Sequence, residues 1–302
     1  MSATPTPHVP DSDLDAAAET VRGWLESADR VLVTAGAGLS AAAGYDYGDT
    51  VRLQELFPAL YRMGLRSRYI VGVQLPPALW WGYWAVHIDD IRYSPHPNPL
   101  YRKLRELIGE KDHWVMTSNV DALFPRNGFA ADRVFTPQGD YGRYQCTTPC
   151  TPTTWDSKPV IDRLLSAYDP ETGAVTDPDA LPRCPNCGGE VEINVRIGPE
   201  FVDAPYLPTG RRLQKWLNEV SPDARLLILE FGAGFNTPGV IRHPGEHLTR
   251  HFPQARLVRV NPTHPDIPSD LKGRALPVAA GADHLLDALT APQAPAGPTV
   301  TS

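Results

Sequence analysis

The sequence predicts a doubly wound α/β fold with a central parallel sheet and a second, smaller lobe. Short apolar runs typical of strands alternate along the chain with segments that carry apolar residues at helical spacing. Residues 225 to 231 form a nearly continuous apolar run, which is typical of a strand buried on both faces of a parallel sheet. Four cysteines in two close pairs interrupt the alternation, and they predict a zinc-ribbon and helical lobe beside a Rossmann-like sheet.

The first half of the chain supplies the elements that begin this sheet. Ala16 to Ser27 has the apolar spacing of a helix, and Arg30 to Thr34 predicts a strand that runs directly into a glycine-rich turn and a further helix. Residues 99 to 108 predict a helix, His113 to Thr117 a strand, and Arg133 to Phe135 another short strand.

The second half continues the same alternation. Thr209 to Val220 predicts an amphipathic helix, Arg225 to Phe231 the buried strand, Ala255 to Val260 a further strand, and Ala282 to Leu289 a final helix. Ligands of such sheets bind at the carboxyl ends of the strands, so the loops that follow the strands are the first places to search for a site.

The composition restricts the function classes. The chain has 302 residues, of which 42% are hydrophobic, and a formal net charge of −7. This balance gives little attraction to nucleic acid or anionic lipid. No apolar run reaches the roughly 20 residues that a membrane-spanning helix needs, and the first residues lack the regions of a signal peptide. We therefore expect a cytoplasmic protein that binds neither nucleic acid nor membrane.

The four cysteines pair as Cys146 with Cys150 and Cys184 with Cys187. Two short knuckles of this kind can each deliver two thiolates to one tetrahedral Zn²⁺. We expect a structural zinc site with four cysteine ligands, which leaves no open position that could activate water. The alternative is four reduced cysteines without a metal, since disulfides are rare in a reducing compartment.

Three segments with small or amide residues directly follow predicted strands: Thr34 to Ser40, Thr117 to Asp121 and Gly232 to Thr237. A glycine turn that leads into a helix lets backbone amides reach a pyrophosphate, whose charge the helix N-terminus favours. One such turn is a weak signal. Three of them beside two cysteine knuckles are a much more specific one.

These segments resemble the sirtuins, or Sir2-like NAD-dependent enzymes. Gly36-Ala-Gly-Leu-Ser40 with Gly44 is similar to the nucleotide-binding loop of that family, and Thr117 to Leu123 is similar to its T-Q-N-x-D-x-L signature. The paired cysteines match its zinc module, and Gly232 to Asn236 and Val260-Asn261 resemble its later cofactor loops. The resemblance implies NAD and Zn²⁺ as cofactors.

The resemblance also implies a set of NAD-binding residues and a domain layout. The cofactor residues would be Ala35, Gly36, Ala37, Gly38, Ser40, Gly44, Tyr45, Ser118, Asn119, Asp121, Gln138, Gly232, Ala233, Gly234, Asn236 and Asn261. A sirtuin-like catalytic domain would span residues 14 to 290 between flexible tails at 1 to 13 and 291 to 302. Its NAD-binding lobe would comprise residues 14 to 50, 98 to 140 and 221 to 290, and its small lobe a helical insert at 51 to 97 and a zinc module at 141 to 208.

The chain departs from the familiar sirtuin deacylases at two points. Where they carry a Pro-Asp-Phe-Arg element after the glycine loop, this chain continues as Gly44-Tyr-Asp-Tyr-Gly48. Where they carry a catalytic His before the first zinc cysteine, this chain has Gln138, in Pro137-Gln-Gly-Asp-Tyr-Gly142. A glutamine can orient a hydroxyl but has no pKa near neutrality, so it cannot act as a general base.

These departures, together with Asn194-Val-Arg196 after the cysteines, are similar to a divergent bacterial branch of the family, whose better-known members are the macrodomain-linked class M sirtuins. That resemblance implies transfer of ADP-ribose from NAD to a protein side chain, in that class on a lipoylated partner. The alternatives are lysine deacylation, NAD hydrolysis, and a non-enzymatic sensor of NAD or ADP-ribose.

Four residues would then be catalytic. Asn119 and Asp121 would hold the ribose and the nicotinamide amide, Gln138 would orient ribose hydroxyls or the nucleophile, and Arg196 would steer an acidic acceptor or a phosphate. Each has an alternative reading: Asn119 and Asp121 as helix caps, Gln138 as a loop residue, and Arg196 as a solvated strand residue. The aromatic residues from Trp80 to Trp84 could line a tunnel, but their spacing favours core packing.

Overall fold

The computed structural model describes residues 11 to 70 and 72 to 291. Its strands are β1 (Arg30–Ala35), β2 (Asp112–Thr117), β3 (Val134–Phe135), β4 (Gly139–Cys146), β5 (Trp155–Asp156), β6 (Tyr168–Asp169), β7 (Ala174–Val175), β8 (Val191–Val195), β9 (Leu226–Phe231), β10 (Arg256–Val260) and β11 (Ala275–Val278). Its α-helices are α1 (Asp11–Ser27), α2 (Ala37–Ala42), α3 (Thr50–Leu56), α4 (Pro58–Arg62), α5 (Pro77–Ile88), α6 (Pro99–Ile108), α7 (Leu123–Arg126), α8 (Lys158–Ser166), α9 (Leu207–Asn218), α10 (Arg242–His251) and α11 (Ala282–Thr290). Within these described ranges, no helix has both the length and the apolar character needed to cross a bilayer.

Six strands form a parallel sheet in the order β11-β10-β9-β1-β2-β3. All six residues of β9 and five of the six residues of β1 are buried, because helices cover both faces of the sheet. The predicted doubly wound α/β fold is therefore confirmed.

The side chains of each strand alternate between two hydrophobic cores. Val31 and Val33 face the core that contains α1, α6 and α11, whereas Leu32 between them faces the core that contains α9. This period of two follows from strand geometry, and it explains why the central strands are apolar at nearly every position.

The boundaries differ from the predicted ones at a few places. Helix α1 begins at Asp11, so the last three residues of the predicted tail at 1 to 13 are helical; the rest of that tail and residues 292 to 302 lie outside the described residues. Helix α9 lies two residues earlier than predicted. The edge strand β11 was not predicted, because it is short and contains Pro277, which a sheet tolerates only at an edge.

The small lobe has its own core between helices α3, α4, α5 and α8 and an antiparallel sheet in the order β5-β4-β8. Trp81, Tyr83 and Trp84 are buried in this core and Trp80 packs against it, which confirms core packing for the aromatic cluster. Strand β4 follows β3 directly, so the chain passes from the large sheet into the small lobe through residues 136 to 138.

Candidate active site

The three predicted loops meet at one edge of the large sheet. Ala35 at the end of β1 is in register with Thr117 of β2 on one side and with Phe231 of β9 on the other. The amide of Gly36 donates to the carbonyl of Phe231 at 2.9 Å, and the amide of Gly232 donates to that of Val260 at 2.9 Å. The loops after β1, β2, β9 and β10 therefore lie side by side.

Glycines allow two of these loops to touch. A Cβ atom on Gly36 would lie 2.7 Å from the carbonyl oxygen of Gly232, and one on Gly38 would lie 2.7 Å from the Gly232 Cα. Gly232 itself has a φ of +60°, and its Cβ would lie 2.4 Å from the Gly38 backbone. The Gly36 and Gly38 amides both donate to backbone carbonyls, so contact between the loops, and not a free row of amides, accounts for these glycines.

We predict that Gly232→Ala lowers the free energy of unfolding by about 2 kcal/mol or more, since a left-handed φ and a steric clash each cost about 1 to 3 kcal/mol. Gly234→Ala is the matched control, because a Cβ atom at that position would have no atom within 4 Å of it. Urea titration of both variants measures the difference. Equal midpoints would contradict the contact between the loops.

A cavity of about 570 Å³ opens between these loops. It brings together nine of the predicted cofactor residues: Gly36, Ala37, Gly38, Ser118, Gly232, Ala233, Gly234, Asn236 and Asn261. Its volume lies within the range of about 300 to 1,000 Å³ that is usual for ligand sites. Ala35, Ser40, Gly44, Tyr45 and Gln138 lie outside its wall.

Asn119, Ser40 and Asp121 form a buried hydrogen-bonded cluster beneath the first loop. The Ser40 hydroxyl donates to Oδ2 of Asp121 at 2.6 Å, and the Asn119 amide donates to Ser40 Oγ and to the Gly36 carbonyl, both at 3.1 Å. The side chains of all three residues are buried. Asp121 also accepts from the Leu123 amide at 2.9 Å, next to helix α7. The N-cap of that helix is Ala122, and it has no side-chain cap.

Burial raises the pKa of Asp121, and the hydrogen bonds from Ser40 and the Leu123 amide oppose this only partly. The carboxylate of Asp140 raises the same pKa further. A buried carboxyl with a shifted pKa at the edge of a cleft is characteristic of a functional group.

Asn119 and Asp121 also line a second cavity, of about 420 Å³, on the side of the small lobe. The same cavity is lined by Tyr206 and by the ion pair between Arg92 and Asp140, whose Nε and Oδ1 atoms lie 2.8 Å apart. Sequence reasoning missed Arg92 and Tyr206. Arg92 comes from the helical insert, and nothing in its local sequence indicates a partner 48 residues away.

The turn that carries Gln138 is fixed by backbone geometry. Gly139 has a φ of +109°, and a Cβ there would lie 2.1 Å from the carbonyl oxygen of Asn194. The Gln138 carbonyl accepts from the Arg196 amide at 2.9 Å, and Nε of Arg196 donates to the Pro137 carbonyl at 3.2 Å. The structure therefore brings Gln138 and Arg196 together.

Arg196 is exposed, and much of its side chain is used locally. Its guanidinium lies 4.4 Å from the centre of the Phe201 ring and pairs with Asp203 at 3.6 Å. These contacts support a structural role in the turn, and the role of Arg196 in steering an acceptor stays a prediction.

Asn261 organises the far end of the first cavity. Its side-chain oxygen accepts from the amides of Thr263 and His264, and its Nδ2 donates to the Ala233 carbonyl at 3.0 Å. The buried Arg242 also donates to the carbonyls of Ala233 and His264, each at 2.9 Å. Arg242 thus joins two cofactor loops, and the sequence carried no signal for it.

The four cysteines form one cluster, in which all sulfur atoms lie within 4.8 Å of one another. Cys146 and Cys187 have sulfurs 3.7 Å apart, and Cys150 and Cys184 have sulfurs 3.6 Å apart. Four thiolates at about 2.3 Å from a tetrahedral Zn²⁺ have sulfurs about 3.8 Å apart. The cluster therefore fits the predicted zinc site. It lies where β4 ends and β8 begins, apart from the cavities.

Known proteins with similar sequences include ADP-ribosyltransferases and deacylases, whereas no family model matches the chain. The chain is 38% identical over 267 residues to the "Probable bifunctional ADP-ribose hydrolase/ADP-ribosyltransferase" of Fusarium oxysporum f. sp. cubense; the match covers 86% of this chain but only 44% of that longer protein. It is 28% identical over 267 residues to the "Protein ADP-ribosyltransferase" of Staphylococcus aureus, with 86% and 82% covered. It is 27% identical over 258 residues to "NAD-dependent protein deacylase 1" of Pseudomonas aeruginosa, with 79% and 85% covered.

Solved structures with the same fold include a Sir2 homologue in complex with NAD, with a TM-score of 0.53, 17% identity, and 90% of this chain and 91% of that chain covered. A Sir2 homologue in complex with ADP-ribose gives a TM-score of 0.54 at 18% identity, with 90% and 94% covered. The chain therefore has the sirtuin, or Sir2, fold and is related in sequence to protein ADP-ribosyltransferases and NAD-dependent deacylases.

Proposed function

We propose that the chain cleaves the bond between nicotinamide and ribose in NAD and transfers the ADP-ribose to a protein side chain. The observation that carries this proposal is the buried cluster of Ser40, Asn119 and Asp121, with Gln138 where the deacylases carry a histidine. The cluster bonds to the Gly36 carbonyl in the wall of the first cavity, and Asn119 and Asp121 line the second. The first cavity would take the ADP part of NAD, and the second would take the nicotinamide ribose and admit the acceptor.

The residues around the first cavity suit the ADP part of NAD. The two glycine loops supply backbone close to the cavity without side chains in the way, and Ser118, Asn236 and Asn261 supply hydroxyl and amide groups. Such a wall can bind phosphate and ribose oxygens by hydrogen bonds. Asn261 and Arg242 would keep this wall in place, because they hold the loops at its far end.

The reaction needs positioning and charge stabilisation more than a strong base. The bond between ribose C1′ and the nicotinamide nitrogen breaks, and its electron pair leaves with nicotinamide, so that C1′ becomes oxocarbenium-like. Asn119 and Asp121 would hold the ribose and the nicotinamide amide, and the Asp121 carboxylate would also favour the positive charge in a site of low dielectric. An acceptor oxygen then attacks C1′ to complete the transfer.

The acceptor side is where this chain differs from a deacylase. Gln138 can orient a ribose hydroxyl or the acceptor, but it cannot remove a proton. A carboxylate acceptor needs no proton removed, and Arg196 beside the Gln138 turn would attract an acidic segment. By its resemblance to the class M branch, we propose a lipoylated carrier protein as the acceptor.

We propose further that residues 14 to 290 act as one catalytic unit in the cytoplasm. Support comes from the cofactor loops, which originate in β1, β2, β9 and β10 and so require nearly the whole range. The four cysteines sit in a cluster suited to a metal, and reduced thiols are usual in that compartment.

The test uses NAD labelled in the adenine ribose with three acceptors: a lipoylated carrier protein, its unlipoylated form and an acetyl-lysine peptide. We expect the label on the lipoylated carrier, and loss of that label with Asn119→Ala. O-acyl-ADP-ribose from the peptide would instead support deacylation. If none of the three acceptors carries the label and free ADP-ribose forms, the protein is a hydrolase. If no nicotinamide is released at all, the protein is a sensor.

A further inference from the structure

Four polar side chains form a buried hydrogen-bond chain that runs from the small lobe toward the cleft: Arg68, His87, Tyr141 and Tyr47. Nε of Arg68 lies 3.2 Å from Nδ1 of His87, and Nε2 of His87 lies 3.3 Å from the Tyr141 hydroxyl. The Tyr141 hydroxyl lies 3.1 Å from that of Tyr47. Arg68 and His87 are almost completely buried, and so is Tyr141, whereas Tyr47 is half-buried at the end of the hydrogen-bond chain.

The hydrogen-bond chain has a direction that Arg68 imposes. A guanidinium can only donate, so Nδ1 of His87 must accept, and the neutral imidazole then carries its proton on Nε2. That proton is donated to Tyr141, whose own hydroxyl proton is free to be donated to Tyr47. Asp90 lies 2.8 Å from Nη2 of Arg68 and balances its charge.

The three groups that follow Arg68 in the hydrogen-bond chain are uncharged. Burial and the charge of Arg68 lower the pKa of His87 well below its usual value, so the imidazole stays uncharged. Burial raises the pKa of Tyr141 to about 12 and also raises that of Tyr47. Both hydroxyls therefore remain protonated donors.

The hydrogen-bond chain contacts two loop segments of the candidate site through its two tyrosines. The Tyr141 amide donates to the carbonyl of Val120, which lies between Asn119 and Asp121, at 2.8 Å. Tyr47 belongs to the segment after the glycine loop, and its carbonyl accepts from the Arg68 amide at 2.8 Å.

The segment around Tyr47 spans the two lobes. Asp46 beside it lines the 570 Å³ cavity, and Tyr45 packs against the cores of both lobes. The hydrogen-bond chain is thus joined to two segments that line the cavities, residues 45 to 48 and residues 117 to 121.

We propose that Arg68, His87, Tyr141 and Tyr47 are positioning residues, which hold segment 45 to 48 and the Asn119 loop in one fixed arrangement around the ribose of NAD. The inference rests on the proposed function, because it concerns the geometry in which NAD would react. It assigns a role to the polar core of the small lobe and to the tyrosine that follows the glycine loop.

The first test compares Tyr47→Phe with Tyr144→Phe. Both remove one hydroxyl, but Tyr144 lies three residues beyond Tyr141 on the same strand and outside the hydrogen-bond chain. We expect the rate of nicotinamide release at saturating NAD to fall about 5- to 10-fold in Tyr47→Phe, as for loss of one positioning hydrogen bond. Tyr144→Phe should keep the wild-type rate, and the two variants should melt at similar temperatures.

The second test exchanges His87. Glutamine keeps one acceptor and one donor, so His87→Gln should retain most of the rate that His87→Leu loses. A Tyr47→Phe variant as active as Tyr144→Phe, or a His87→Leu variant as active as His87→Gln, overturns the inference alone. A wild-type protein that neither binds NAD nor releases nicotinamide overturns the proposed function and the inference with it.

Discussion

Asn119→Ala is expected to reduce nicotinamide release from NAD by about 100-fold or more, as is typical when a positioned polar group at a reacting centre is removed. The Asn119 amide holds the Gly36 carbonyl and the Ser40 hydroxyl, and through Ser40 it is linked to Asp121. Its loss therefore affects the cofactor loop and the carboxylate together. Steady-state assays of nicotinamide formation measure the effect.

The protein should remain folded in this variant. The variant loses two hydrogen bonds, but the Gly36 carbonyl still accepts from the Leu39 amide and Ser40 still donates to Asp121. The loss costs about 0.5 to 1.5 kcal/mol for each bond, less than the stability of a typical domain. Asn218→Ala, at an exposed position of α9, serves as the control for loss of an asparagine. An Asn119→Ala variant that binds and turns over NAD as the wild type does would contradict the site assignment.

Removal of the metal from the cysteine cluster is expected to unfold the module formed by β4, β5 and β8. Structural zinc contributes about 10 kcal/mol or more in small modules, which is comparable to the total stability of a domain. Cys184→Ala leaves three ligands, and its zinc content and melting temperature should both drop sharply. The large sheet, which has its own two cores, should keep its far-UV signal longer on heating.

The control for this variant is Thr153→Ala, an exposed position three residues after Cys150. Metal analysis of the wild type should give one zinc per chain, with all four thiols unreactive until a chelator is added. A wild-type protein that contains no zinc and has four freely reactive thiols would contradict the metal site.

Much of the large sheet could be predicted because its strands are read directly from local pattern. The buried run that became β9 is apolar on both faces, and the glycine turn after β1 fixes where that strand ends. The strand β11 could not be predicted, since Pro277 argues against a strand unless its place at the edge is known.

The small lobe was predictable mainly through its cysteines. Their spacing within each pair already required two knuckles, and the cluster in the structure agrees with that expectation. The antiparallel sheet of β4, β5 and β8 and the helices around it depend on contacts between segments far apart in the chain, for which spacing carries no information.

Some residues of the candidate site could be predicted from the sequence, and others could not. Residues on strand-end loops, such as Asn119 and Asn261, could be predicted because parallel strands place their ends together. Arg92, Arg242 and His87 could not, since their partners Asp140, His264 and Tyr141 lie 48, 22 and 54 residues away in sequence. The glycines were predicted for a partly different reason from the one observed, because Gly36 and Gly38 chiefly make room for Gly232.

The balance of products from NAD tests the central claim most directly. Purified protein is incubated with labelled NAD and the lipoylated carrier, and nicotinamide, protein-bound ADP-ribose, free ADP-ribose and O-acyl-ADP-ribose are quantified. If the protein is a transferase, we expect one protein-bound ADP-ribose for each nicotinamide released, with little free ADP-ribose or O-acyl-ADP-ribose. Nicotinamide that is matched instead by free ADP-ribose or O-acyl-ADP-ribose would contradict the account.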